Sequence, residues 1–353
     1  MGANYSQSAN HKSTLVAMSG GVDSTVAAVL MKRDGFDCAG ATMKLFSGGE
    51  KTVADAQAVA DRLGIPFFAF DFEECFVKSV IEPFIADYYA GRTPNPCVVC
   101  NKHLKFGRFL DKARELGKDC ITTGHYAQIE LDENGRFLLK KGSDLSKDQS
   151  YVLYSLSQEQ LGQVRFPLGG LTKAQVREIA ADEGFDNASK GESQDICFIP
   201  DGDYVKYIID FTGEPPQAGR FIDTNGNDLG ENKGIISYTV GQRRGLGLAM
   251  PHPPYVIELR PDENTVVIGK EDMLYSKSLD AKNINLIPFD KLEAPIRAHV
   301  KIRYSDPGHI ATVSQTDDDC LHIEFDEPQR AITKGQAAVL YDSDVVIGGG
   351  TIT

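Results

Sequence analysis

Residues 16–25 read V-A-M-S-G-G-V-D-S-T, and no other stretch limits the fold as sharply. The apolar run Leu15-Val16-Ala17-Met18 reads as a short buried strand. Ser19-Gly20-Gly21 breaks it, and Val22, Val26, Val29 and Leu30 then recur at helical spacing. Strand, glycine turn and helix start together aim backbone N–H groups at an anion. Paired glycines let the backbone turn sharply and approach that anion closely. Ser19, Asp23, Ser24 and Thr25 can cap the helix or contact phosphate. The GxxxxGK[ST] phosphate loop does not fit, because no Lys follows the glycines.

The pattern around this loop extends it into an α/β domain. Residues 38–43 and 65–70 read as further strands, with a short helix between them that ends at Gly64. Residues 72–89 read as a helix kinked at Pro83. G-R-T-P-N-P-C-V-V-C-N then reads as a stiff loop, residues 104–116 as a helix, and residues 120–123 as a strand leading into Gly124-His125-Tyr126. Alternating strands and helices predict an open, doubly wound parallel sheet. Ligands bind beyond the carboxyl ends of such strands. The glycine loop, Met43, the Pro94–Asn101 stretch and Gly124-His125 all sit at strand ends or after them, so they can meet there. Glu133-Asn134-Gly135 marks a hairpin turn, and residues 172–184 form an amphipathic helix. From about Gly213 helical periodicity gives way to short β-rich runs, which predicts two small β domains with a seam near residues 273–278.

Composition narrows the setting. No apolar run is long enough for a membrane span. Residues 1–13 are polar and lack the apolar core of a secretory signal. The net charge of −13 argues against diffuse nucleic-acid binding but leaves room for a local basic groove. Seven cysteines without secretory context read as thiols of a cytoplasmic protein, some of them catalytic.

Two of those cysteines form Cys97-Val98-Val99-Cys100. A lone CxxC permits a redox pair, half a zinc site, a cluster ligand pair or two incidental thiols. A zinc site needs about two more ligands at compatible spacing, and no second CxxC or HxxxH supplies them. Cys197 in G-E-S-Q-D-I-C-F-I-P, taken alone, reads as a small buried residue.

The motifs taken together say more. S-G-G-V-D-S resembles the pyrophosphate loop (PP-loop) of the ATP pyrophosphatases. With T-P-N-P-x-x-x-C-N, T-G-H-Y-A, K-D-Q-S-Y, S-Q-D-I-C-F and G-Q-R-R-G-L-G in that order, the chain resembles the tRNA-specific 2-thiouridylase family from about residue 14 to its end.

The resemblance implies a PP-loop, HUP-like catalytic domain with a helical extension over 13–210. A tail spans 1–12, a central β-rich domain 211–276 and a C-terminal β-barrel 277–353. It implies adenylation of the C2 oxygen of the tRNA wobble uridine by ATP with Mg2+, then sulfur transfer from a cysteine persulfide. The persulfide residue would be Cys197 and the partner nucleophile Cys100, the two forming a disulfide when sulfur is released. ATP contacts carry over to Ala17, Met18, Ser19, Gly20, Gly21, Val22, Asp23, Ser24, Met43 and Gly124. Target-base contacts carry over to Asn95, Pro96 and Cys97, and further tRNA contacts to His125, Lys147, Asp148, Gln149, Arg303, Tyr304 and Gln336. A sulfur carrier protein would load the persulfide, and the enzyme would be a monomer. Asp23 either holds the magnesium or caps the helix.

Many family members carry Asp where this chain has Cys97. A thiol there can act as an acid or base, or Cys97, Cys100 and Cys197 can bind a [4Fe–4S] cluster, as in other PP-loop tRNA thiolases. The glycine-rich basic loop at 241–247 is either a solvated loop or a cover that orders on tRNA. Arg297, Lys301 and Arg303 are either a phosphate-facing stripe on a strand or an ordinary charged surface. Two other functions stay open on the residues alone. One is a PP-loop synthetase fed by an amidotransferase, which would not need Cys100 or Cys197. The other is a nucleotide- or cluster-binding redox module that never splits ATP.

Overall fold

The structure, a computed structural model, describes residues 12–46, 48–185 and 196–353. Apart from Lys12, the tail expected over 1–12 lies outside the described residues, as does the S-Q-D part of S-Q-D-I-C-F. No helix among the described residues is long and apolar enough to cross a membrane.

The first sheet is the expected parallel one. Strand β1 (Ser13–Ala17) leads through helix α1 (Val22–Arg33) to β2 (Asp37–Lys44), then through α2 (Glu50–Leu63) to β3 (Phe67–Asp71). The chain returns as β4 (Cys120–Thr122) and, after a hairpin of β5 (Ala127–Leu131) and β6 (Phe137–Lys141), as β7 (Val164–Arg165). The order is β3-β2-β1-β4-β7, every pairing parallel. Leu15 and Val16 are fully buried, as a strand covered on both faces requires. The strand order reverses beside β1, so a crevice opens between the carboxyl ends of β1 and β4.

Two helical runs differ from the sequence reading. The 72–89 helix changes register inside: it is α over Glu73–Phe76, π over Val77–Ile81 and α again over Glu82–Tyr89. Pro83 lacks an N–H, and the wider turn just before it accommodates that loss. The second difference is a correction. The CxxC is not in a loop, because the helix begins at Pro96 and runs through Pro96–Cys100, a π segment at Asn101–Arg108 and Phe109–Glu115. Asn95 caps it, with Oδ1 accepting the Val98 N–H at 3.4 Å, and Pro96 holds the first helical position with its φ already set. Burial of Val98, Cys100 and Leu104 holds the run against the core.

The β-rich half forms two sheets. β8 (Gly219–Asp223), β9 (Asp228–Asn232), β10 (Tyr255–Arg260) and β11 (Thr265–Gly269) make a four-stranded sheet in the order β10-β11-β8-β9. β12 (Tyr275–Leu286), β13 (Ile296–Lys301), β14 (His309–Asp317), β15 (Cys320–Arg330), β16 (Ala337–Asp342) and β17 (Val345–Ile352) follow. Their order is β12-β15-β14-β13-β16-β17, and β12 also pairs with β17, which closes a barrel. Ala311, Val313, Leu321, Ile323 and Leu340 fill its interior.

The barrel is joined to the first domain through hydrogen bonds of backbone and side chains. β6 pairs with β17, so the β5–β6 hairpin extends the barrel sheet. The Tyr151 hydroxyl donates to the Ala337 carbonyl at 2.8 Å. A third tie reaches the helix that carries the CxxC. The Thr93 N–H donates to the Lys334 carbonyl at 2.8 Å, and the Gln336 amide donates to the Thr93 carbonyl at 2.9 Å.

Candidate active site

The glycine loop turns out of β1 with Gly20 in the left-handed region, φ +69. A Cβ there would lie 2.5 Å from Cβ of Asp55 on α2, so conformation and space both require glycine. Met18 is buried, its N–H bonded to the Ala41 carbonyl at 2.8 Å and its carbonyl accepting the Thr42 hydroxyl. Ser24 and Thr25 turn their hydroxyls back onto the Gly21 carbonyl at 3.1 and 2.9 Å. Ser19 is exposed, and its N–H donates to the Ser24 hydroxyl at 3.1 Å. Gly21 is the N-cap of α1, and no side chain caps the helix, so its first turn carries the partial positive charge of uncapped N–H groups.

Gly124, just past β4, closes the other wall. A Cβ on it would sit 2.8 Å from the Asp23 carbonyl carbon and 3.0 Å from the Ser24 nitrogen. The two strand ends are therefore in backbone contact, and the crevice between them is a cradle that side chains would fill. Its small residues and N–H groups suit an anion, which is what a nucleotide polyphosphate needs. Met43 is half-buried at the end of β2, packed against the core beside this cradle.

Asp23 does not cap the helix. Both its oxygens lie 2.8 Å from Nζ of Lys173, and Oδ1 also accepts the Tyr126 hydroxyl at 2.8 Å. Lys173 is buried at the first position of the Lys173–Asp182 helix. Sequence reasoning missed it. The only signal was the T-x-x-Q box of Thr172 and Gln175, which marks a helix start and not a cation.

The thiols gather on the other side. Cys100 is buried, whereas Cys97 and Cys197 are exposed. Burial pushes the Cys100 thiol up to about 11, against the pull of Lys105, and its neighbours Cys197 and Cys97 raise it further. Cys197 has surface access, yet the protein packed around it still raises its thiol, and Lys105 again opposes. One cation therefore serves both thiols. Cys100 and Lys105 stand five apart, a spacing that an ordinary helix turns to different faces. The π segment at Asn101–Arg108 is wound more widely and brings the two closer to one face. Cys197 is anchored by its neighbour Phe198, whose ring packs edge-on against Phe76 and Phe84, with centroids 5.5 and 5.4 Å away.

The remaining candidates spread around this centre. Asn95 and Pro96 start the Cys97 helix. His125 is buried between Phe106 and Phe166, with Nδ1 2.7 Å from the Thr123 hydroxyl. Burial, and then Lys105, hold its pKa well below the usual range, so it is neutral near pH 7. Asp148 and Gln149 spend their side chains locally. Asp148 accepts the Gly142 and Ser150 N–H groups, and Gln149 accepts the Tyr126 N–H. Lys147 is half-buried in the same segment. Tyr304 is exposed and donates to the Asp148 carbonyl at 2.9 Å; Cys97 is among the groups that raise its hydroxyl, after burial and Asp148. Gln336 is part-buried and engaged with Thr93, as described above.

The basic stripe is not a stripe. Arg297 pairs with Asp326 on a nearby strand at 2.5 Å, Lys301 is half-buried with its pKa lowered by burial, and Arg303 lies past the end of β13. The 241–247 loop is anchored: the Gly241 N–H donates to the Val256 carbonyl at 2.8 Å and Leu246 is buried, while Arg243 and Arg244 stay exposed. A cluster does not fit the thiols. Among the described residues no three His, Cys, Asp or Glu side chains are grouped to hold a metal ion.

A doubly wound sheet with a glycine anion cradle at its switch point, carried with a cluster of thiols in one domain and joined to β domains, defines a nucleotide-dependent enzyme of the HUP class. Residues 12–201 match the family model described as tRNA methyl transferase HUP domain, residues 206–270 the PRC-barrel domain of the same name, and residues 276–352 an aminomethyltransferase beta-barrel domain. The chain is 48% identical to the tRNA-specific 2-thiouridylase MnmA of Clostridioides difficile, over 97% of this chain and 98% of that protein. It is also 48% identical to that of Acetivibrio thermocellus, over 97% and 99%. The chain belongs to the tRNA-specific 2-thiouridylase family. The family models carry a methyltransferase name, but the relatives that match almost the whole chain are thiouridylases, and the thiols of the cleft accord with them. Among solved structures, the U34-tRNA thiolase NcsA of Methanococcus maripaludis with its [4Fe-4S] cluster aligns at TM-score 0.36 and 15% identity, covering 57% of this chain and 68% of that one. A 4-thiouridine synthetase–RNA complex with bound ATP aligns at 0.35 and 15%, covering 56% and 50%.

Proposed function

We propose that this protein is a tRNA-uridine 2-sulfurtransferase that converts the wobble uridine of tRNA to 2-thiouridine using ATP. The observation that carries the proposal is the coupling of two thiols, buried Cys100 and exposed Cys197, to one cation, Lys105, in the domain whose first strand ends in an uncapped glycine cradle. Ala17, Met18, Ser19, Gly20, Gly21, Val22, Asp23, Ser24, Met43 and Gly124 hold the nucleotide, and Asp23 is the residue that would hold its Mg2+. Asn95, Pro96 and Cys97 present the target base, with His125, Lys147, Asp148, Gln149, Arg303, Tyr304 and Gln336 arranged around the bound tRNA.

Uridine O2 attacks the α-phosphorus of ATP, the Pα–O bond to the β-phosphate breaks, and pyrophosphate leaves with the electron pair. A C2 oxygen is a poor leaving group until adenylation makes it part of AMP. The outer sulfur of the Cys197 persulfide then attacks C2 and AMP departs. Cys100 attacks the Cys197 sulfur, forming the Cys100–Cys197 disulfide and leaving sulfur on C2. A dithiol reductant restores both thiols, and a persulfide-bearing carrier protein reloads Cys197. Cys97 is exposed and near enough to the centre to move a proton. The domain over 13–210 does the chemistry, and those over 211–276 and 277–353 seat the tRNA. The protein works in the cytoplasm as a monomer. The test is transfer of radiolabelled sulfur to unmodified tRNA: wild type incorporates label, and label incorporation by Cys197→Ala would defeat the mechanism.

A further inference from the structure

The Walker-type loop carries its own lysine, and this glycine loop does not. The fold nevertheless delivers one. Lys173 reaches Asp23, the second residue of α1, from a helix that starts 150 residues later in the chain. Lys173 is buried, and its ammonium lies 5.8 Å from the centre of the Tyr126 ring. Such a pair is a poor device for stability, because desolvating the Lys173 ammonium costs much of what a partly exposed carboxylate returns. It is also held with care. The Lys173 N–H donates to the Asp144 carboxylate at 3.0 Å, the Thr172–Gln175 capping box fixes the helix start, and Tyr126 steadies Asp23 from the wall that Gly124 closes.

We propose that Lys173 is a catalytic residue of the adenylation step, its ammonium meeting the β and γ phosphates and stabilising the departing pyrophosphate. This inference rests on the reading of the glycine loop as the polyphosphate site. When O2 bonds to the α-phosphorus, the electron pair of the broken Pα–O bond goes to pyrophosphate. Negative charge therefore grows on the side of the cradle that Asp23 and Lys173 border. An unpaired carboxylate there would repel the nucleotide. Paired, it holds a preformed cation at the edge of the site, which needs no reorganisation when charge develops. Asp23 is the residue that would hold the nucleotide's Mg2+, and in that role it would yield the Lys173 ammonium to phosphate.

The test is a double-variant cycle read by binding and by turnover. Wild type, Lys173→Met, Asp23→Asn and Asp23→Asn/Lys173→Met are titrated with magnesium pyrophosphate and, separately, with AMP; tRNA-dependent pyrophosphate release is measured alongside. The double variant removes both charges together, so no unpaired buried ion threatens its fold. Lys173→Met is expected to weaken pyrophosphate binding about 10-fold or more, to leave AMP binding within about 2-fold, and to slow pyrophosphate release on the order of 100-fold. The decisive comparison is the Asp23→Asn background. If Lys173 acts on phosphate, its loss there still costs about 10-fold in pyrophosphate affinity. If it only neutralises Asp23, its loss there changes affinity less than about 2-fold, and the inference is overturned. Wild type that binds neither pyrophosphate nor ATP would instead bring down the reading of the loop itself, and this inference with it.

Discussion

The two walls of the cleft are built on different physical terms. The phosphate wall is made of backbone. Gly20 at φ +69 and Gly124 pressed against the Asp23 backbone leave a space shaped by main chain, with N–H groups as its chemistry. The thiol wall is made of side chains whose reactivity depends on neighbours. Cys100 is silenced by burial and partly restored by Lys105, while Cys197 stays exposed at the end of an aromatic anchor. A backbone site tolerates little change in shape and is indifferent to pH. A thiol site tolerates changes of shape but answers to every nearby charge.

Separating the walls gives the largest expected effect. Cys197→Ala should abolish sulfur transfer, a loss on the order of 1,000-fold or more, while tRNA-dependent pyrophosphate release stays within about 3-fold. Loss of both activities together would mean that the walls are not independent. Gly124→Ala attacks the backbone wall. It should weaken ATP binding about 10-fold or more and cost about 1–3 kcal/mol of stability in a denaturant melt, since its Cβ has only 2.8 Å to the Asp23 carbonyl carbon. Persulfide loading of Cys197 should be unaffected.

The pH response sharpens the contrast on the thiol side. With the Cys100 thiol raised to about 11, its thiolate fraction and its alkylation rate should climb about 10-fold per pH unit between roughly pH 7 and 9. Lys105 lowers that thiol, so Lys105→Met should move the midpoint upward and slow alkylation several-fold at fixed pH. A downward shift would mean that Lys105 is not the cation that serves Cys100. A smaller effect is expected at the junction. Gln336→Ala removes the donor to the Thr93 carbonyl as well as a tRNA contact, so kcat should fall about 3- to 10-fold and the tRNA KM should rise. A raised KM with unchanged kcat would make Gln336 a tRNA contact alone. Arg297→Ala should change tRNA affinity less than about 2-fold in a binding titration, because its guanidinium is exposed and already paired with Asp326.

Much of this was legible in the chain. The parallel sheet followed from apolar runs separated by helical periods, and the glycine loop from a strand, a turn and a helix start placed consecutively. The β-rich half showed in the loss of helical spacing after Gly213. The CxxC was harder. Prolines around Asn95 suggested a stiff loop, but Pro at the first position of a helix is as stiff and continues as a helix once Val98 and Leu104 are buried. Arg297 and Lys301 lie in β13 as read, but the strand ends at Lys301, short of Arg303, and Asp326 on a nearby strand claims Arg297, so the three do not form one stripe.

By itself the sequence determined what is local: where the chain turns, which residues are too small to be replaced, and which thiols exist to react. Glycine conformation, helix capping and strand burial depend on near neighbours in the chain, so they can be read from spacing. The tertiary structure decided which charges meet which groups. Lys173 finds Asp23 across 150 positions, Lys105 comes beside Cys100 through a turn wider than an ordinary helix allows, and Gln336 reaches Thr93 from the barrel. Coulomb forces act through space and not along the chain, so the electrostatics of both walls exist only once the chain has folded.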